Sequence, residues 1–95
     1  MHQVKTYPTA TLGNRIAGAR KVAGLTQKKF SERIDITRAA VAQWETGATA
    51  PSISMLSKAA RILGVSPEWL AYGRVDPGFE ATASHEIILM RPVKP

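Results

Sequence analysis

Residues 26–47, TQKKFSERIDITRAAVAQWETG, constrain the fold of this chain more than any other stretch. Two short helical patterns lie side by side within it. Phe30 and Ile34 form one apolar stripe four residues apart, and Val41 and Trp44 form a second stripe at helical spacing. Both stripes must face a shared core, so we predict two short helices joined by a tight turn and crossing near a right angle.

The residues at the ends of these two helices support the same reading. Thr26 and Thr37 suit the N-cap position, because a hydroxyl can accept from the unpaired N–H groups of a first turn. Asp35 stands where a positive φ commonly favours glycine, and aspartate tolerates the left-handed region at modest cost. Ser31 is small, as the crossing point of the two helices requires. Gly47 ends the second helix.

Capping and spacing patterns predict three further helices in the chain. The first begins after a cap at Thr11 and ends near Gly24. Another begins after Ser52 and ends at Gly64. The last follows the Ser66-Pro67-Glu68 sequence, which places a cap, a first-turn proline and a first-turn acid in order, and it ends at Gly73. We therefore predict an all-α fold of five helices.

This pattern divides the chain into three parts. Residues 11–73 form the helical domain, and residues 1–10 are expected to be a flexible arm. Residues 74–95 are expected to be a linker and a tail. Within the tail the run EIILMRPV predicts a short β-strand, which needs a partner to satisfy its backbone. We expect that partner at a dimer interface formed by Ile87, Ile88, Leu89 and Met90. A disordered tail or a linker to a further domain remains an alternative.

The charge of the chain is concentrated in its helical part. The 95 residues carry a net charge of +6. Ten of the 13 Lys and Arg residues and four of the seven Asp and Glu residues lie in residues 1–73, which leaves the rest of the chain neutral. A basic balance in a small domain favours a polyanionic partner, although charge alone is a weak signal.

The residue types argue against several other classes of protein. Cysteine is absent, which excludes disulfides, thiolate zinc sites and thiol catalysis. The two histidines, His2 and His85, stand outside the helical domain, and no glycine-rich phosphate loop occurs. We expect no enzyme, catalytic residue, metal, cofactor or small-molecule substrate. No apolar run approaches the ~20 residues of a membrane helix, and we expect a cytoplasmic, nucleoid-associated protein.

From Leu12 to Gly73 the sequence resembles the lambda-repressor-like helix-turn-helix family, which includes the Cro/cI and XRE-type repressors. The resemblance is carried by several short motifs. They are Leu25-Thr26-Gln27, Val41, Gln43-Trp44-Glu45, Gly47, Pro51 and the run ARILGVSPEWL at 60–70. It implies the same five-helix fold, together with sequence-specific binding of double-stranded DNA by a homodimer.

In such a protein the third helix enters the major groove, and its outer face reads the bases. Arg38 could make two bonds to guanine, Gln43 could pair with adenine, and Ala39 or Ala42 could meet a thymine methyl group. Arg38 could instead be solvated or bind phosphate, and the alanines could simply be good helix formers. The expected base-contact residues are Thr37, Arg38, Ala39, Ala42 and Gln43.

The resemblance also implies contacts to the DNA backbone and one internal ion pair. Gln27 would touch a phosphate at the start of the second helix, where N–H groups point outward. The expected phosphate-contact residues are Arg15, Thr26, Gln27, Lys28, Thr46 and Thr49. In related repressors an arginine of the first helix pairs with a glutamate ending the third, which here implies an ion pair between Arg20 and Glu45. The chain departs from many relatives in the loop after the third helix, where Ala48, Thr49 and Ala50 replace the usual cation.

These features favour a phage-type transcriptional repressor that binds a pseudo-palindromic operator as a dimer. Two alternatives share the same DNA-binding domain. The chain could be the antitoxin of a toxin–antitoxin pair that autoregulates its operon, or it could be the N-terminal half of a longer repressor.

Overall fold

The computed structural model describes residues 11–73, which form five α-helices. They are α1 (Leu12–Val22), α2 (Gln27–Ile34), α3 (Arg38–Thr46), α4 (Ile53–Leu63) and α5 (Pro67–Tyr72). Residues 11–73 contain no β-strand, and none of their helices is long and apolar enough to cross a membrane. The predicted arm at 1–10 and the predicted strand around Ile87, Ile88, Leu89 and Met90 lie outside the described residues.

Each of the five described helices is capped at its N-terminus by the hydroxyl residue that the sequence indicated. Thr26 Oγ1 accepts from the Lys29 N–H at 3.0 Å, and Thr37 Oγ1 accepts from the Ala40 N–H at the same distance. The other three caps follow the same geometry. They are Thr11, Ser52 and Ser66. Because each cap satisfies an otherwise unpaired N–H, the short helices have defined starting points.

The turn between α2 and α3 uses a left-handed residue, as predicted. Asp35 has a φ of 65° and a ψ of 47°. Bonds to the carbonyl groups at the end of α2 hold the turn, including one from the backbone N–H of Asp35 to the Ser31 carbonyl. The Ile36 N–H donates to the Ser31 carbonyl at 3.0 Å, and Lys58 Nζ from α4 donates to the Ile34 carbonyl at 3.2 Å. The end of α2 is thereby tied to the start of α3 and to α4.

The core lies between the inner faces of all five helices. Ile16 from α1, Phe30 and Ile34 from α2, and Val41 from α3 are fully buried. The two tryptophans line the same core, at Trp44 in α3 and Trp69 in α5. Phe30, Ile34, Val41 and Trp44 are the residues whose spacing predicted the two stripes, so the prediction of one shared core is confirmed.

Backbone contact brings α1 close to α3. A Cβ atom built on Gly13 would lie 2.6 Å from the carbonyl oxygen of Trp44 and closer still to that of Glu45. No side chain fits in such a gap, so only glycine at position 13 lets the backbone of α1 come this close to the backbone of α3. The contact fixes the last turn of α3 against the first turn of α1.

Candidate nucleic-acid interface

Helix α3 has an anchored side and an open side. Val41 is fully buried and Trp44 is 7% exposed, which fixes the rotation of the helix about its axis. The opposite side consists of small and polar residues. Thr37, Arg38, Ala39 and Gln43 are exposed, and Ala42 is half-buried. Arg38, Ala39, Ala42 and Gln43 thus lie on the side opposite Val41 and Trp44 or flank it, and Thr37 is accessible as the N-cap of this nine-residue helix.

The polar groups on this open side differ in how much bonding capacity they retain. Within residues 11–73 the Arg38 guanidinium and the Gln43 carboxamide have no hydrogen-bond partner. The Thr37 hydroxyl already accepts from the Ala40 N–H. Arg38 and Gln43 thus have all their donors available for a ligand, whereas Thr37 has only part of its capacity.

The start of α2 presents polar residues and no acid. Thr26 and Lys28 are exposed, Gln27 is half-buried, and the first turn contains no Asp or Glu. A helix N-terminus carries unpaired N–H groups and a partial positive charge, which favour an anion. Lys28 adds a cation, although its Nζ lies 3.3 Å from the carboxylate of Glu32 one turn later. That exposed pair is weak, so an anion could compete for the lysine.

The loop after α3 has few hydrogen-bond donors that are not already bonded within the protein. Thr46 and Thr49 are exposed. The Thr46 hydroxyl donates to the Gln43 carbonyl at 3.2 Å and faces the Ala48 N–H at 3.4 Å, and the Thr49 N–H donates to the same carbonyl at 3.3 Å. The backbone donors of Ala48 and Thr49 are thus engaged inside the loop. The hydroxyl of Thr49 remains as a possible contact, whereas the Thr46 hydroxyl would have to release the Gln43 carbonyl before it could donate to a phosphate.

Arg20, Glu45 and Gln27 form a network that joins three helices. Arg20 Nε and Nη2 donate to the two carboxylate oxygens of Glu45 at 2.6 and 3.1 Å. Gln27 Nε2 donates to Glu45 Oε1 at 3.0 Å. The Arg20 and Glu45 side chains are only 10% and 9% exposed. The structure thus contains the expected ion pair between α1 and α3, and it adds a bond to α2 that the sequence did not predict.

Sequence comparison identifies the family to which this arrangement belongs. A family model described as helix-turn-helix matches residues 16–70, which is more than half of the chain. The chain belongs to the helix-turn-helix family. Its five helices and its lambda-repressor-like architecture, expected from the sequence, are confirmed.

Individual members of the family are similar to the chain over its helical part. The HTH-type transcriptional regulator DicA of Escherichia coli (strain K12) is 33% identical over 66 residues, which are 70% of this chain and 49% of DicA. The chain thus spans about half the length of that curated relative. A prophage-derived regulator of Bacillus subtilis (strain 168), YonR, is 33% identical over 61 residues, which are 64% of this chain and 56% of YonR. Both relatives are described as transcriptional regulators and not as enzymes.

Two solved structures of DNA complexes share the fold. The P22 c2 repressor with a synthetic operator has a TM-score of 0.65 and 29% identity, covering 70% of this chain and all of the repressor chain. SinR, a master regulator of biofilm formation, was solved in complex with DNA and has a TM-score of 0.59 and 30% identity. That match covers 63% of this chain and 97% of SinR.

One expected phosphate contact disagrees with the geometry of this helix-turn-helix domain. Arg15 is 6% exposed. Its Nε donates to the Leu70 carbonyl and its Nη2 to the Ala71 carbonyl, both at 2.9 Å. Burial lowers the pKa of this guanidinium from its ordinary value. Arg15 therefore binds the C-terminal end of α5, and we remove it from the residues expected to touch DNA.

Two other features of the helix-turn-helix domain had no signal in the sequence. Gly13 could be read only as a helix-weakening residue, because its proximity to α3 depends on packing. The bond from Gln27 to Glu45 joins residues 18 positions apart, for which no local pattern exists. Among residues 11–73 there is no group of three His, Cys, Asp or Glu side chains that could hold a metal ion.

Proposed function

We propose that this chain is a sequence-specific regulator of transcription that binds double-stranded DNA. In this proposal α3 lies in the major groove and the start of α2 lies against the sugar-phosphate backbone. The open side of α3 carries the proposal most directly. Its residues are accessible, lie outside the core, and include two side chains with uncommitted donors, Arg38 and Gln43.

The chemistry of the open side suits direct readout of base pairs. Arg38 has a planar group with paired donors that matches O6 and N7 of guanine. The Gln43 carboxamide carries a donor and an acceptor, which match N7 and N6 of adenine. Ala39 and Ala42 are small enough to approach the groove floor and to meet a thymine methyl group. Thr37 is exposed at the N-cap of α3 and completes the proposed base-contact set.

Contacts to phosphate would set the position of α3 in the groove. The start of α2 supplies Gln27, Lys28 and Thr26, next to N–H groups that point outward. Thr46 and Thr49 flank the far end of α3 and could donate to the neighbouring phosphate through their hydroxyls, Thr46 by exchanging its bond to the Gln43 carbonyl. These contacts carry no sequence information themselves, but they fix the register of the protein on the duplex.

A regulator of this kind binds most strongly when two copies engage one operator. Two recognition helices related by a two-fold axis would lie about 34 Å apart and would read the two halves of a pseudo-palindrome. We propose that the chain is a phage-type repressor of this kind, and its similarity to the prophage-derived regulator YonR supports the proposal. The segment proposed to pair two copies, Ile87 to Met90, lies outside the described residues.

Selection of duplexes from a random pool tests the function as a whole. The purified chain is incubated with random duplex DNA at low ionic strength, and bound molecules are amplified and sequenced. We expect one motif repeated with two-fold symmetry, with half-site centres separated by one helical turn or a multiple of it. Recovery of no enriched motif together with no retention of any duplex would sink the proposal.

Base readout is tested with Arg38→Ala and a matched control, Arg61→Ala. Arg38 is an exposed arginine at the first position of α3, and Arg61 is an exposed arginine in the last turn of α4. Arg38→Ala should reduce discrimination between the selected motif and its single-base variants by about 1–3 kcal/mol at one position. Arg61→Ala removes the same charge and should leave that discrimination unchanged. Equal losses for Arg38→Ala on every duplex would instead assign Arg38 to phosphate.

Contact between Lys28 and the phosphate backbone of DNA is tested by the salt dependence of binding. Lys28→Ala should weaken binding to selected and unrelated duplexes alike. It should also reduce the slope of log K against log salt concentration by about 0.9, the value of one phosphate contact. A slope equal to that of the wild type would remove Lys28 from the interface.

A further inference from the structure

The Glu45 carboxylate accepts a hydrogen bond from Gln27 in addition to those of the Arg20 guanidinium that balances its charge. The Arg20 guanidinium bonds both carboxylate oxygens, so the buried negative charge is already balanced by one cation in a two-point contact. Each of the three guanidinium nitrogens of Arg20 has a partner, since its Nη1 donates to the Leu25 carbonyl at 2.8 Å. The bond from neutral Gln27 is therefore additional to the structural ion pair. The bond between Gln27 and Glu45 therefore matters mainly for the conformation of the Gln27 side chain.

The bond fixes the orientation of the Gln27 carboxamide. An amide group can be turned over, exchanging its oxygen and its nitrogen. Against a carboxylate only the nitrogen is favourable, because two facing oxygens would repel each other. Since the group is planar, placing one N–H on Glu45 Oε1 also fixes the direction of the second N–H. Within residues 11–73 this second N–H has no partner, and the Gln27 side chain is only half-buried.

We propose that Glu45 is a positioning residue that presets the free N–H of Gln27 for a DNA phosphate. This inference rests on the proposed function. A glutamine that is ordered before binding does not lose rotamer freedom when it meets a phosphate, which corresponds to about a threefold to tenfold gain in affinity. Glu45 belongs to α3 and Gln27 to α2. The same bond therefore holds the side chain proposed to contact the DNA phosphate at a fixed distance from the helix proposed to read the bases.

A double-mutant cycle tests the positioning role on a duplex recovered from the random-pool selection. The variants are Gln27→Ala, Glu45→Gln and the two combined. In Glu45→Gln the one remaining side-chain oxygen would be taken by Arg20, so that the new NH2 group would face Gln27 and the preference for the required orientation would be lost. We expect Glu45→Gln to weaken binding about threefold to tenfold, and Gln27→Ala to have a smaller effect in that background than in the wild type. Additive effects would overturn the inference.

A control separates positioning from loss of stability. Arg20→Lys weakens the ion pair but keeps the Glu45 carboxylate that Gln27 uses. Affinities are compared at a temperature where urea denaturation shows every variant to be folded. We expect Arg20→Lys to change the affinity less than twofold. A loss equal to that of Glu45→Gln at matched stability would mean that Glu45 acts only through the fold.

A measurement on the wild type keeps the inference testable even if Glu45→Gln fails to fold. NMR relaxation of the Gln27 side-chain amide reports its order on the picosecond to nanosecond timescale. We expect an ordered amide in the free protein, with little further ordering when the duplex binds. A disordered amide that becomes ordered only on DNA would overturn the inference. Failure of the wild type to bind any duplex would instead refute the proposed function, and the order of the free amide would still be measured.

Discussion

Arg15 illustrates how the position of a single side chain determines its role. A guanidinium has five N–H donors, and two of its nitrogens are committed to carbonyl groups at the end of α5. The C-terminus of a helix carries a partial negative charge and unpaired carbonyl groups, so a buried cation is favourable there. Helix α5 has only six residues. Arg15 thus ties the last helix of the domain to the first.

Replacement of Arg15 by methionine should reduce the free energy of unfolding by about 2 kcal/mol, because the Leu70 and Ala71 carbonyls would lose their charged donor. The affinity of the folded protein for its selected duplex should stay within twofold of the wild type, with an unchanged salt slope. Urea denaturation and DNA titration measure the two quantities. A weaker affinity with a flatter salt slope would restore Arg15 to the phosphate contacts.

At the scale of the element, the turn between α2 and α3 sets the orientation of the two helices relative to each other. Its geometry depends on one left-handed residue, Asp35, and on the bonds from Ile36 and Lys58 to the end of α2. An L-residue in this region is disfavoured by roughly 1–2 kcal/mol relative to a right-handed conformation. Aspartate reduces that cost but does not remove it.

We expect Asp35→Gly to be more stable than Asp35→Ala by about 1 kcal/mol, because only glycine adopts the positive φ without steric cost. The comparison uses urea denaturation of both variants. The half-buried helical position Ala42 provides the control, since Ala42→Gly should be less stable than the wild type by about the same amount. If alanine proves as stable as glycine at position 35, the turn does not hold a left-handed residue in solution.

Helix boundaries were predictable because they depend on neighbours in sequence. Thr26 and Thr37 cap the next turn, and Asp35 ends α2 through its own backbone conformation. The core stripes were predictable for a similar reason, since a helix repeats every 3.6 residues. Contacts between distant residues were not predictable in this way. Arg15 and Leu70 are 55 residues apart. The sequence around Arg15 fits an exposed cation equally well, because it does not show that α5 packs against α1.

At the scale of the whole molecule, the five described helices pack around one shared apolar core. Helix α1 packs against α3 and α5, and α2 packs against α3 and α4. Among residues 11–73 the buried apolar cluster runs from Ile16 to Leu70 and draws on every helix. The predicted domain boundary at 11–73 is thus compatible with independent folding.

A fragment containing residues 11–73 should unfold with the same free energy as the full chain to within about 0.5 kcal/mol. It should bind a single half-site as the full chain does, but should lose the extra affinity for a duplex with two half-sites, because the proposed dimer segment is missing. Urea denaturation and DNA titration of both proteins check these expectations. Equal affinity for the two-half-site duplex would place the dimer contact within residues 11–73.

The independence of the open side of α3 from the core has an evolutionary consequence. Arg38, Ala39 and Gln43 are anchored by nothing except the helix that carries them, while Val41 and Trp44 hold that helix in place. Under the proposed function, preference for one operator can therefore drift to another through a few codon changes, with the scaffold left intact. The same separation makes the domain suitable for engineering, since a library confined to these exposed positions would sample new targets among molecules that all still fold.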